Sequence, residues 1–513
     1  MTETQQPAPE SGPVRRLSVD EAVALALEQN LSIQVQRLDP QVQDLSVAQA
    51  RAAWTPNVST TFSLNQRQDQ NTGFLSGGFG TEKIGTDRVS TDVGFNQLLP
   101  WRGASVNLNW NSARRSTDSI FDDFNPSLSS FVTASFVQPL MRNAAIDTPR
   151  QQLLVTQRNR EISDIDLRQM VLTTVRNVRN AYWELSYAVS SLDVNHLSLD
   201  LARQLLKDNR ARVEIGTLAP LDIIAAEAEV AQREEAVILA DAAVDQAEDR
   251  LRALIFDPQM PRFWSTKVEL TDKPAFQAKP IDIEQAVRQA LDKRTDLRQT
   301  RKTLEVSDIN IRYFRNQILP DVNVQMDYTV RGTGGTRLEP LRGLPTGPIT
   351  RAVIDRRGYG NILSDMFTND FPIWTLSLQV GYPIGTSASE ANLARAKLQY
   401  QQSQLQMKNL ELQVSQQVRD AGRQVNTNLK RVDTTRSARE LAERRLDAEQ
   451  KKFAAGMSSS FFIFQAQRDL AQARNAELRA VLDYNRSLVD FETVQEAPVS
   501  GGGITIAPAA NKN

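Results

Sequence analysis

Few side chains in this sequence are equipped for chemistry. Cysteine is absent, which excludes disulfides, thiolate metal sites, a cysteine nucleophile and a lipidated cysteine in the chain as given. The single histidine, His196, lies in a helical pattern among polar neighbours and reads as an ordinary surface residue. One imidazole is too few for a histidine metal site within one chain. Gly73–Gly80 and Gly332–Gly335 are glycine-rich, but neither follows a strand and opens a helix as phosphate-binding loops do, so both read as surface loops. Carboxylates abound, yet they sit on helical stretches beside arginines at i+3 or i+4, as in Glu440–Arg444 and Asp249–Arg252. Such pairs are solvated and each contributes a few tenths of a kcal/mol. With no catalytic, metal or cofactor constellation, an enzyme is not expected.

Lys plus Arg is 60 and Asp plus Glu is 61, a net charge of −1 that argues against nucleic acid as a partner. No apolar run reaches the roughly 18 residues of a membrane helix. Residues 1–16 carry acids and prolines without an apolar core, so they read as a disordered leader rather than a signal peptide.

The chain is organised around Ser387–Phe491, which contains no proline. Leu393, Ala396, Tyr400, Met407, Leu410, Val414, Val418, Ala421, Val425, Leu429 and Val432 recur at the steps of one helix face. The break at residues 454–460 is followed by the same pattern in Ala466, Leu470, Ala473, Ala480, Tyr484, Leu488 and Phe491. At 1.5 Å per residue the arm Ser387–Phe453 is roughly 100 Å long. Its other face, rich in Gln, Arg and Glu, belongs in water while the apolar stripe packs on other helices.

An internal repeat accounts for most of the rest. Val19–Val23 aligns with Ile283–Val287, Ala26-Leu27 with Ala290-Leu291, and Pro56–Val58 with Pro320–Val322. Arg212–Gly216 aligns with Lys452–Gly456. The expected layout is a first repeat over 17–256, a linker over 257–280 in an equatorial region, a second repeat over 281–492 and a loose tail over 493–513. Each repeat holds a short helix, a second helix, strands, a very long helix and a returning helix.

Six stretches alternate with period two: Val58–Leu64, Val89–Phe95, Val106–Trp110, Val132–Phe136, Val322–Val330 and Trp374–Tyr382. A soluble sheet with one buried face gives this pattern, and so does a membrane barrel. Three features favour the barrel. The polar residues are small and weakly charged, as suits a watery lumen. Trp101, Trp110 and Trp374 lie towards segment ends. Long loops, 65–88, 112–128 and 331–371, fall on one side only. Two or three hairpins cannot close a barrel, and open edges are not tolerated in lipid, so several chains must share one.

In this context the chain resembles the outer-membrane efflux protein family, the TolC-like ducts. The resemblance rests on LSVDEAVALALEQNLSI (17–33), SFVQPL (135–140), QVGYPIG (379–385) and KKFAAGMSSSFFIFQAQRDLAQA (451–473), on their order, and on their duplication. It implies a mainly α fold with a membrane β-barrel: a homotrimeric α-helical barrel of coiled-coil helices continuous with a shared transmembrane barrel in the outer membrane. It further implies an exit duct for tripartite efflux or type I secretion. The partners would be a periplasmic adaptor, an inner-membrane transporter and outer-membrane lipid, with no cofactor. By the same resemblance the helix turns contact the adaptor, through Gly216, Thr217, Leu218, Gly456, Met457 and Ser458. The periplasmic aperture falls on Asp222, Ser458, Phe462 and Gln465. Where the family has a basic tip residue this chain has Ser458; where it has acidic rings it has Phe462 and Gln465. Only Asp222 keeps an acid at the matching place, so a strongly cation-binding aperture is not expected.

The alternative from another class is an envelope coiled-coil scaffold with small soluble sheets. Substituting Leu376→Arg or Val324→Arg separates the two. A charge at the bilayer midplane costs about 2–4 kcal/mol, so membrane assembly, followed by fractionation, is blocked in a barrel. In a scaffold only local packing changes.

Overall fold

The computed structural model describes residues 14–70, 82–259, 263–272, 276–341, 351–385 and 387–496. Its helices are α1 (Val19–Gln29), α2 (Leu31–Arg51), α3 (Thr148–Glu214), α4 (Leu221–Ile255), α5 (Ile283–Lys293), α6 (Thr295–Gln317), α7 (Tyr359–Thr368), α8 (Ala388–Ala454) and α9 (Ser460–Val494). The strands are β1 (Val14–Leu17), β2 (Asn57–Gln70), β3 (Lys83–Leu98), β4 (Ser105–Thr117), β5 (Phe124–Pro139), β6 (Lys267–Leu270), β7 (Asp321–Leu338), β8 (Val353–Arg357) and β9 (Pro372–Gly381). The chain divides into a helical unit (residues up to 42, 161–302 and from 403) and a sheet unit (43–160 and 303–402). No helix among the described residues is long and apolar enough to cross a membrane.

In the helical unit, α3 and α8 each run 67 residues and the returning α4 and α9 each run 35. α1 starts on a capping box: the Glu21 N–H donates to Ser18 Oγ, and the Ser18 N–H donates to Glu21 Oε2 at 2.8 Å. α5 starts at Asp282, whose carboxylate accepts the Glu284 and Gln285 N–H groups at 3.0 Å each. α1, α3 and α4 close a core around Tyr182, Leu185, Leu251 and Ile255. The fully buried Tyr182 satisfies its hydroxyl by donating to the Leu17 carbonyl at 3.0 Å and accepting the Asp272 N–H at 3.1 Å. Burial pushes its phenol above the ordinary range, so the bonding form is the neutral one.

Part of the expected leader is ordered. Residues 14–16, with Leu17, form β1, which pairs in parallel with β6. Four residues suffice because Leu17 is buried in the core and the ladder satisfies the backbone. Composition is blind to so short a strand. Residues 1–13 and 497–513, and with them most of the leader and tail, lie outside the described residues, as does Gly73–Gly80. The linker contains β6, so it too carries structure.

In the sheet unit, β2-β3-β4-β5-β7-β9 form one antiparallel sheet, with β8 sharing the β9 side of β7 at its far end. All six alternating stretches are strands, and each strand has ten or more residues. The strands outrun the alternation. β2 continues to Gln70 and β3 begins at Lys83, inside the stretch read as a loop over 65–88. Residues 65–70 (NQRQDQ) are polar on both faces, so a period of two cannot appear there. The stretch 331–371, also read as a loop, holds the end of β7, then β8 and α7.

All four connections to helices α2, α3, α6 and α8 leave one end of the sheet, at Asn57, Pro139, Asp321 and Gly381. That end is clasped: the Leu140 N–H donates to the Val322 carbonyl at 2.8 Å, and Gln317 Nε2 donates to Asn143 Oδ1 at 2.7 Å. At the other end α7 lies on β7, with Ile362 directly over Gly332 and Gly334. A Cβ at Gly332 would come within 2.4 Å of the Ile362 carbonyl oxygen. Substituting Gly332→Ala therefore destabilises the α7 seat by about 1–3 kcal/mol. It should speed tryptic cleavage at Arg356 and Arg357. Substituting Gly358→Ala, where an added Cβ meets nothing within 4 Å, should not.

Candidate functional site

Two places can handle a passing solute: the helix turns of the helical unit, and the polar face of the sheet. Both turns have the same build. α3 ends on Gly216 (φ +74) and α8 on Gly456 (φ +72), in the left-handed region that favours glycine. At the first, the Thr217 N–H donates to the Arg212 carbonyl and the Gly216 N–H to Val213, at 2.9 Å each. At the second, Met457 donates to Lys452 at 2.8 Å and Gly456 to Phe453 at 3.1 Å. These pairs form the Schellman arrangement, which satisfies the last carbonyls of each long helix.

A small core joins the turns. Phe453, Ile463, Phe464, Leu470, Leu205 and Ala226 are buried together, with Leu218 against them. Each large apolar side chain so buried contributes about 1.5–3 kcal/mol. The Arg212 guanidinium stacks over Phe453 at 4.4 Å. Ser460, buried at the start of α9, donates to Asp222 Oδ1 at 2.7 Å, so the first residues of both return helices are tied. Ser458 donates to Glu449 Oε2 at 3.0 Å, and Lys452 donates to Glu449 Oε1 at 2.8 Å.

The expected site residues thus separate by environment. Asp222 and Ser458 are engaged within the chain. Phe464 is a core residue. Phe462 is exposed and stacked edge-on with exposed Phe461 at 5.6 Å, and Gln465 is half-buried beside them. Gly216, Thr217, Gly456 and Met457 are exposed, while Leu218 is partly packed. Ser460 and Arg212 escaped sequence reading because their partners lie on other helices, whereas Glu449 pairs with Lys452 along its own helix and with Ser458 in the turn that follows. Glu229 escaped too: it is buried on α4 and engaged by Arg233 at 2.7 Å, with Arg468 at 3.9 Å. It is therefore not a free cation ligand.

Many arginines reach across helices rather than along them. Arg431 meets Asp483 and Arg445 meets Asp469, each at 2.7 Å between α8 and α9. Arg439 and Arg474 converge on Glu443, and the Arg474 hydrogen bond, with Arg439 in support, holds that carboxyl below its usual range. Asp249 and Arg252 pair along α4 as expected, whereas Glu440 lies 3.8 Å from Arg439.

The sheet's two faces differ over the half next to the helix connections. One presents rungs such as Asn57–Asn96–Asn107–Ser135–Asp327–Thr375 and Ser59–Gly94–Asn109–Thr133–Thr329–Ile373. Its side chains bridge strands: Ser135 to Asp327 at 2.6 Å, Thr133 to Thr329 at 2.9 Å and Ser63 to Ser90 at 2.7 Å. The opposite face presents Val58–Phe95–Leu108–Ala134–Tyr328–Trp374 and Thr60–Val93–Trp110–Val132–Val330–Pro372.

These features meet a consistent set of relatives. The profile of the family described as outer membrane efflux protein matches residues 96–255 and 286–494, well over half of the chain. No curated protein matches by sequence. Solved structures match by fold. CusC, from work on folding and transmembrane channel formation, has a TM-score of 0.65 at 14% identity, covering 96% of this chain and 95% of that one. The CmeC outer membrane channel of Campylobacter jejuni has 0.64 at 13%, covering 93% and 85%. The open MtrE outer membrane channel of Neisseria gonorrhoeae has 0.59 at 17%, covering 93% and 88%.

The turn carries a pH dependence. The Lys452 hydrogen bond, then that of Ser458, holds Glu449 below its ordinary 4.5. A depressed carboxyl lends stability above its unfolded value and loses it as pH falls through the folded one. The mobility of a spin label at Met457→Cys should stay constant down to about pH 5 and rise only at lower pH. With Glu449→Gln it should be high throughout.

Proposed function

Because the chain belongs to the outer membrane efflux protein family, we propose that it is a passive outer-membrane exit duct for efflux. The observation that carries the mechanism is the two-faced sheet with bare edges. One face is polar, the other apolar, and no described strand pairs with the outer edge of β2 or β9. β2 of one copy pairs with β9 of the next, closing a shared barrel with polar rungs inward and apolar rungs on lipid. Three copies with six long strands each give eighteen strands (3 × 6). The matched helix lengths, 67 with 67 and 35 with 35, support an internal duplication over 17–256 and 281–492, joined by 257–280. In the homotrimer the long helices form the periplasmic tunnel.

The exposed turn residues Gly216, Thr217, Gly456 and Met457, with Leu218 and Ser458, receive a periplasmic adaptor coupled to an inner-membrane transporter. Phe462 and Gln465 from three copies narrow the aperture, and the Ser460–Asp222 bond holds neighbouring turns together. Solute moves by diffusion through a lumen of amide and hydroxyl groups with a few charges, among them Asp92, Asp327 and Arg331, and the driving energy is supplied by the pump.

Negative-stain imaging of detergent-purified protein tests the assembly: end views with threefold symmetry are expected, and compact monomers or filaments would overturn it. Planar-bilayer recording tests the aperture. Only weak cation preference is expected in the open state. A strong preference abolished by Phe462→Ala or Gln465→Ala would contradict an aromatic and amide ring.

A further inference from the structure

α7 is not explained by a duct alone. It packs on the apolar face of the sheet, because Gly332 and Gly334 share the register face of Val324, Met326, Tyr328 and Val330, and Ile362 sits over both glycines. The rung beneath it runs Phe62–Thr91–Ser112–Ser130–Gly332, so β4, β5 and β7 carry only serine and glycine where the helix lies. Ser130 is almost fully covered there. From Val322 up to this rung the apolar face carries no charged residue; Arg114, one rung further, is the first.

α7 adds apolar side chains over these small residues. Ile362 and Met366 face the sheet, whereas Tyr359, Leu363 and Phe367 are exposed within about an 80° arc, Phe367 at 88%. Asn361, Ser364 and Thr368 take the remaining flank. The one charged side chain of the helix, Asp365, is buried and held by Arg357 Nη2 at 2.9 Å to both carboxylate oxygens. Tyr328, on the apolar face, donates its hydroxyl to Asn369 Oδ1 at 2.6 Å just past the helix end. The helix therefore has one flank of three apolar side chains, one of three small polar ones, and a neutralised charge. That is the pattern of a helix lying at a membrane surface.

We propose that α7 is an interfacial anchor, lying outside the barrel with Tyr359, Leu363 and Phe367 in the lipid of the distal leaflet and Asn361, Ser364 and Thr368 towards water. This rests on the barrel reading above. The occupant is lipid because the exposed stripe continues the uncharged apolar rungs of the same sheet face. The helix thickens the apolar belt where β4, β5 and β7 turn to serine and glycine, and it fixes how deep the barrel rides.

The absence of cysteine makes the test clean. Single variants Phe367→Cys, Leu363→Cys, Ser364→Cys and Leu376→Cys in the full chain would carry nitroxides in phosphatidylcholine–phosphatidylglycerol vesicles. Collision with oxygen and with a water-soluble nickel chelate would then be compared. A several-fold higher oxygen-to-nickel ratio at Phe367 and Leu363 than at Ser364 is expected, with Leu376 also lipid-exposed. A lipid-exposed Leu376 beside a nickel-accessible Phe367 and Leu363 overturns the anchor and leaves the barrel standing. Labels at Phe367 and Leu363 shielded from both reagents also overturn it, since a second copy would then cover the helix. Nickel access at Leu376 as well removes the barrel reading and the anchor together. If Phe367→Cys fails to assemble, Leu363→Cys carries the same outcomes.

Discussion

In hydrocarbon no water can stand in for a missing hydrogen-bond partner, so each bare N–H or C=O costs several kcal/mol. Among the described residues, the outer edges of the long strands β2 and β9 are two such rows. Soluble sheets guard their edges with charges, prolines or bulges. Here neither edge is guarded. Residues 57–66 (NVSTTFSLNQ) and 372–381 (PIWTLSLQVG) contain no charged residue, and the one proline, Pro372, opens its strand. Both strands are exposed almost along their whole length, including Phe62, Leu64, Trp374 and Leu376. Edges so undefended suit the proposed shared barrel, in which the two faces of the sheet would become lumen and lipid surface.

The helices answer a different constraint. A 67-residue helix cannot bury its circumference, so α8 keeps one narrow stripe (Val414, Val418, Val425 and Val432) fully buried and leaves the rest wet. Arginine–carboxylate pairs between α8 and α9 brace the wet side. Exposed pairs of this kind contribute at most about 1 kcal/mol each, so they set alignment more than stability. The left-handed glycines end the long helices, and the small cores behind them fix where the return helices begin. A turn made this way presents Met457 and Phe461 to solvent.

The long helices were legible because a stripe repeated over 67 residues is hard to mistake, and the strands because apolar and polar residues alternate along most of their length. Legibility failed where those conditions failed. The polar ends of β2 and β3 have no alternation to read. α7 hid in a stretch rich in glycine and asparagine, since ten residues hold too few turns for a periodic signal. β1 is too short to register in composition. At the turns, the positions of Gly216, Gly456, Phe462 and Gln465 were readable, but the Ser460–Asp222 bond joins residues far apart in sequence and follows only from the packing of α4 on α9. The arginines reach across helices for the same reason: spacing along one helix says nothing of what lies beside it.

The claim on which the rest depends is that β2 of one copy meets β9 of another. The cysteine-free sequence allows a direct measurement. Cysteines would be placed in pairs, one scanned along residues 58–64 of β2 and one along 374–380 of β9, and oxidised in the membrane. The closed-barrel account predicts disulfide-linked dimers and trimers, and nothing larger, for pairs in register. Ladders extending beyond three chains, or no intermolecular bond at any pair, would contradict it.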